Sequence, residues 1–345
     1  MAINISDYFS QQKISDLTKE ANRSVDRVKL TSPALDILEQ KKLPNLFVPR
    51  QYGGLQRNLP EALPWLEAVS WIDGSLGWTL TLASGAGLLG AFMTPAFARS
   101  VFSQKDTLIA VSGFPAGKAE KIDGGYHING SWKYASGIEH ATLITASCYV
   151  TVDGKIQHKE GAPVTRAIAC YQDEIEIRKT WNSHRLKATG SHDFEIRDVQ
   201  TPKKRTFTIS PDSAHVDGLL YRYPFEAFAH CTLAISMLGI ARRFLDEAKQ
   251  ILLSKNDVSE LNGLPKALQI TFKDTKLEFD KAKEALYKTV EHSWRKLQKY
   301  GALDEEWANE VSAQSRQSCK TALRCVQDLY PHLGMSDINP DSIIY

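Results

Sequence analysis

A chain of 345 residues is too long for one compact core and suits two or three cooperating domains. With 43 % hydrophobic and 24 % charged residues it has an ordinary globular composition, and its net charge of +2 gives no reason to expect nucleic acid or an acidic membrane as a partner. The cysteines (Cys148, Cys170, Cys231, Cys319, Cys325) form no C-x-x-C pair, which suits reduced thiols in the cytoplasm, and no His, Cys or carboxylate cluster has metal-ligand spacing.

The N-terminal MAINISDYFSQQKISD has no basic segment followed by an apolar one, so no signal peptide is expected. Ile14, Leu17, Ala21, Val25 and Val28 recur every three or four residues and predict a helix with one apolar face. Leu35, Leu38 and Leu43 continue into LPNLFVPRQYGG, where Pro44, Pro49, Gly53 and Gly54 make a loop. Helices resume over Glu61 to Ala68 and Asp73 to Met93. Leu76 to Met93 is about long enough to cross a bilayer, but its small residues (Gly77, Ser84, Gly85, Gly87, Gly90) fit a helix packed tightly among others, so no membrane span is expected.

From Leu108 to about Thr208 the texture changes to short β-rich runs, among them TLIAVSGF, GYHINGSWKYAS, ATLITASCYVTV and FEIRDVQ. Asp123-Gly124-Gly125, Asn129-Gly130 and Asp153-Gly154 read as turns between them, favouring a small antiparallel barrel or sandwich. Beyond Pro211 a stripe through Met237, Ile240, Ala241, Phe244, Leu245, Ala248, Ile251 and Leu252 marks a long helix. A second runs from Pro265 to about Tyr300, and a third from Asp304, an N-cap, to about Tyr330. The chain is thus an α+β multidomain protein: a helical domain over 1–107, a β domain over 108–210 and a helical bundle over 211–345.

Four segments in this order, LFVPRQYGG, INGSWKYASG, LKATGSHDFEIRDVQTPKKR and LYRYPFEAFAHCTLAISMLGIARRFLDEA, resemble the acyl-CoA dehydrogenase superfamily. The wording of Trp132, Tyr134-Ala135-Ser136-Gly137, Thr189-Gly190-Ser191-His192-Asp193 and Leu220 to Phe225 is similar to its two-component flavin-dependent monooxygenase branch, such as 4-hydroxyphenylacetate and dibenzothiophene monooxygenases. The resemblance implies FAD or FMN as cofactor, a separate flavin reductase, oxygen, a small aromatic or similar substrate, and a homo-oligomer, dimer or tetramer. It implies that Ser136 contacts flavin N5 and that Tyr134 lines the ring. Val111, Ser112, Gly113 and Phe114 would meet the pyrimidine end, and Thr189, Gly190 and Ser191 would close over flavin or substrate. Arg222 would meet a phosphate or substrate anion, and His230 would face the site if its helical phase allows. Taken without the resemblance, Tyr134 or Trp132 is simply β-domain core, Thr189-Gly190-Ser191 a turn, Arg222 a surface charge and His230 a satisfied helix histidine.

The chain departs from both branches. Where dehydrogenases carry a glutamate on the first bundle helix it has Ala229 and His230, and ILLSKNDVSELNG replaces their Arg-Phe-Gly motif. Where several monooxygenases carry a histidine on the helix after Gly77-Trp78 it has Ser84-Gly85-Ala86-Gly87, and SDINPDSIIY stands where a last helix would begin. Two alternatives accompany the monooxygenase reading: an FAD-dependent acyl-CoA dehydrogenase, and a catalytically degenerate scaffold.

Overall fold

The computed structural model describes residues 3–104 and 107–334; SDINPDSIIY lies outside the described residues. The chain divides into two compact units, one comprising Met1–Ser15, Leu59–Gly77 and Glu226–Tyr345, the other Asp16–Asn58 and Trp78–Phe225. The elements in order are α1 (Gln11–Arg27), α2 (Ser32–Glu39), α3 (Leu59–Ile72), α4 (Gly74–Gly87), α5 (Pro95–Phe102), β1 (Ile109–Ile122), β2 (Gly125–Ala135) and β3 (Leu143–Val152). There follow β4 (Lys155–Ile156), β5 (His158–Lys159), β6 (Ala162–Pro163), β7 (Thr165–Tyr171), β8 (Glu176–Arg178), β9 (His192–Pro202) and β10 (Thr206–Phe207). The last helices are α6 (Phe225–Lys255), α7 (Lys266–Tyr300) and α8 (Glu305–Leu329).

The predicted stripe of α1 is buried at Ile14, Leu17 and Ala21, but Val25 is 41 % exposed and Val28 lies past the helix end at φ +55°. The predicted helix over Asp73 to Met93 ends at Gly87 and gives way to a tighter turn over Leu88–Ala91. Close packing explains its glycines: a Cβ on Gly87 would sit 2.7 Å from Val48 Cγ2, and one on Gly90 2.6 Å from the Phe102 ring.

In the second unit the strands pair in the order β10-β7-β3-β1-β2-β9-β8, with β4 beside β3; β5 and β6 form a separate pair. Asp123-Gly124 closes the β1–β2 hairpin and Asp153-Gly154 the β3–β4 hairpin, as their turn chemistry predicts. Two expectations fail. β1 and β3 run parallel, so the sheet is mixed. Asn129-Gly130 is no turn but a bulge inside β2, where the register against β9 slips between Ile128 and Gly130. Gly130 is needed there for packing: a Cβ would come within 2.5 Å of Gly117 Cα and 2.6 Å of the Trp132 ring. Trp132 is the largest fully buried side chain of the sheet core.

In the first unit, α7 and α8 keep close to the boundaries read from the sequence. Asp304 caps α8 by accepting from the Trp307 amide at 3.0 Å, and Gly301 ends α7 at φ +75°. Among the described residues one helix, α6, is long and apolar enough to cross a membrane, and 56 % of its most apolar window is buried inside the protein. Leu76 to Met93 does not form such a helix.

Candidate functional site

Two neighbouring strands break register at the same end of the sheet. β1 bulges between Ser112 and Gly117, and β2 bulges between Trp132 and Ala135. The Ser112 hydroxyl donates to the Lys133 carbonyl at 3.2 Å and ties the bulges together. Each bulge turns an aromatic ring outward: Phe114 is 76 % exposed and Tyr134 65 %. Tyr134 holds φ +61°, uncommon for a residue with a side chain, and its amide donates to Asp193 Oδ1 at 3.2 Å. Its ring meets Trp181 edge-on at 6.3 Å. The alternation over Trp132-Lys133-Tyr134 thus resolves into one core ring, Trp132, and one surface ring, Tyr134. Val111 is half-buried, Ser112 buried, and Gly113 exposed with nothing within 4 Å of where a Cβ would stand.

Just beyond Tyr134, Ser136 is 6 % exposed and sits in a line of hydroxyls. Trp78 Nε1 donates to Ser136 Oγ at 3.2 Å; Ser136 and Ser191 share a bond of 2.7 Å, as do Ser191 and Thr189. Thr189 Oγ1 donates to the Leu186 carbonyl at 2.8 Å. The Gly137 amide donates to the Thr189 carbonyl at 2.8 Å, joining the strand end to the loop. Gly190, at φ +51°, passes so near Val28 that a Cβ would lie 2.7 Å from its carbonyl oxygen.

Beside this line lies a charged cluster that the sequence did not single out. His192 Nδ1 accepts from the Trp181 amide at 3.1 Å, so its proton stands on Nε2, 3.7 Å from Glu139 Oε2. Burial lowers the His192 pKa, partly opposed by Glu139. Burial likewise resists ionisation of Glu139, but the hydrogen bond and charge of Lys179, with Lys29 and His192, outweigh it and lower its pKa. The His140 pKa falls through burial and the charge of Lys29.

Of the residues marked in the sequence, Ser112, Tyr134, Ser136, Thr189 and Ser191 fall in one connected region. Arg222 is an exposed side chain of the same unit, in a short turn that Tyr221 anchors through a hydrogen bond to the Phe47 carbonyl at 3.2 Å. His230 belongs to the other unit, half-buried on α6, with Nδ1 covered and lacking a hydrogen-bond partner. Trp181, Glu139 and His192 have no site role in the sequence reading. Trp78 lies 58 positions from Ser136, and no local pattern foretells that bond.

Helices before and after a mixed sheet in chain order define the acyl-CoA dehydrogenase-like fold. The crystal structure of 3-HSA hydroxylase from Rhodococcus sp. RHA1 matches with a TM-score of 0.88 over 96 % of this chain and 88 % of that one, at 19 % identity. In sequence, the indole-3-acetate monooxygenase of Pseudomonas putida is 26 % identical over 316 residues, 91 % of this chain and 79 % of that protein. The oxygenase component of the FADH(2)-dependent resorcinol hydroxylase of Rhizobium sp. is 29 % identical over 210 residues, 59 % of this chain and 50 % of that protein. No family model matches the chain.

Proposed function

We propose that this chain is the oxygenase component of a flavin-dependent monooxygenase, a cytoplasmic enzyme that takes reduced FAD or FMN from a separate reductase and hydroxylates a small aromatic substrate. The observation that carries this reading is the likeness to an indole-3-acetate monooxygenase along 91 % of the chain. The site residues fit a flavin on their own chemistry. A tricyclic ring needs an apolar wall, and Tyr134 and Phe114 are aromatic rings held outward on bulges. Its pyrimidine edge needs hydrogen bonds, which the backbone of Val111, Ser112 and Gly113 would supply where β1 leaves its neighbour. Ser136 would meet N5, and the exposed Arg222 guanidinium would take a phosphate. When bound, reduced flavin supplies the two electrons that oxygen insertion requires; the protein binds, orients and keeps water away. Ala229 at the glutamate position of the dehydrogenases removes a carboxylate base and weighs against desaturation of a thioester. The exposed Ile270, Leu277 and Leu323 on α7 and α8 support assembly as a dimer or tetramer through those helices.

The test is oxygen incorporation. The purified protein, given NADH, a flavin reductase, FAD or FMN and isotopically labelled oxygen, is expected to place one labelled atom in indole-3-acetate or resorcinol. Tight binding of neither reduced flavin, with no label in any aromatic acid or phenol tried, would overturn the reading.

A further inference from the structure

The hydroxyl line at Ser136 has a direction. A hydroxyl carries one proton and two lone pairs, an indole N–H only donates, and a carbonyl only accepts. Thr189 gives its proton to the Leu186 carbonyl, so it must accept from Ser191. Ser191, having given its proton to Thr189, must accept from Ser136. Ser136 therefore donates inward to Ser191, accepts from Trp78, and keeps one lone pair and no proton for any further partner. Thr189, Ser191 and Ser136 are all buried, so water does not compete easily for these bonds.

We infer that Thr189 and Ser191 are positioning residues that fix Ser136 as a hydrogen-bond acceptor and so make the site select reduced over oxidised flavin. The inference rests on the functional reading above, which sets Ser136 beside N5. In reduced flavin N5 carries a hydrogen and donates; in oxidised flavin N5 has only a lone pair. An acceptor at Ser136 completes a bond with the first form and opposes the lone pair of the second. The discrimination comes from the Leu186 carbonyl at the far end of the line, which holds every proton pointing away from the ring. Neither Thr189 nor Ser191 needs to touch the flavin for this.

The experiment compares dissociation constants of FMN and FAD, oxidised in air and reduced under anaerobic conditions, by fluorescence and absorbance titration of the whole protein. The wild type is expected to prefer the reduced form. Ser191→Ala and Thr189→Val each free the Ser136 proton to point outward, and the oxidised-to-reduced ratio of dissociation constants is expected to fall about tenfold, the size of one hydrogen bond. Trp78→Phe removes a donor without releasing that proton and should keep the ratio, while Thr189→Ser should restore it. A merely structural role would weaken both redox forms together and leave the ratio fixed. Flavin binding with an unchanged ratio in both Ser191→Ala and Thr189→Val overturns the inference alone; no flavin binding by the wild type overturns the functional reading beneath it.

Discussion

Glu67→Ala is expected to destabilise the helical unit by about 3–5 kcal/mol, as removal of one partner from a buried ion pair does. Glu67, on α3, is 0 % exposed, and its Oε1 accepts from Lys283 Nζ at 3.0 Å and Arg242 Nη1 at 3.1 Å. Its Oε2 accepts from the Tyr287 hydroxyl at 2.7 Å. Burial, and then the Glu67 charge, push the Tyr287 pKa well above its usual value, so that hydroxyl remains a donor. Helices α3, α6 and α7 thus meet on one carboxylate. The backbones approach closely as well: a Cβ on Gly239 would lie 2.6 Å from the Glu67 carbonyl oxygen. Alanine at position 67 leaves the Lys283 ammonium buried without its counter-charge, an expensive state in a medium of low polarity. Adding Lys283→Met removes that stranded charge, so the double variant should be more stable than Glu67→Ala alone. Urea unfolding followed by helical circular dichroism measures both. A loss below about 1 kcal/mol for Glu67→Ala would place the network among surface ion pairs and contradict the account.

Trp132→Ala is expected to cost about 3–5 kcal/mol in the sheet unit, the range for deleting a large aromatic from a core. The ring is fully buried, stacks on Phe194 at 5.3 Å and 12°, and donates Nε1–H to the Ser147 carbonyl at 2.9 Å. Its volume is built into the sheet: a Cβ on Gly117 would come within 2.2 Å of Trp132 Cζ2, and Gly130 gives way on the other side. Alanine leaves a cavity between two glycines that cannot fill it, and strands an acceptor at Ser147. The bulge that presents Tyr134 starts beside this ring, so the variant should also weaken flavin binding. A midpoint of urea unfolding equal to that of the wild type would show that the ring is no part of the core.

Much of the fold was legible because local chemistry decides it. Asp304 caps α8 whatever surrounds it, and Asp153-Gly154 turns where both residues adopt φ > 0. Asn129-Gly130 has similar turn chemistry and was misread, because the close approach of Gly117 and the Trp132 ring, invisible to a local pattern, decides its conformation. The parallel pairing of β1 with β3 escaped for a related reason: hairpin turns announce antiparallel neighbours and say nothing of strands that meet across a connection. At the site, Ser136, Thr189 and Ser191 were marked through resemblance, but the hydrogen bonds that join them to one another and to Trp78 leave no local trace. Trp78 and Ser191 lie 58 and 55 positions from Ser136, and Lys283 lies 216 from Glu67. Polar networks joining distant segments leave no period or spacing in the sequence.

The most direct test is a crystal structure of the protein with reduced FMN or FAD bound. The account predicts the ring lying against Tyr134, with N5 within hydrogen-bond reach of Ser136 Oγ, while that oxygen keeps its bonds to Trp78 and Ser191. Flavin lodged away from the bulges of β1 and β2, or a Ser136 hydroxyl in contact with protein atoms alone, would contradict it.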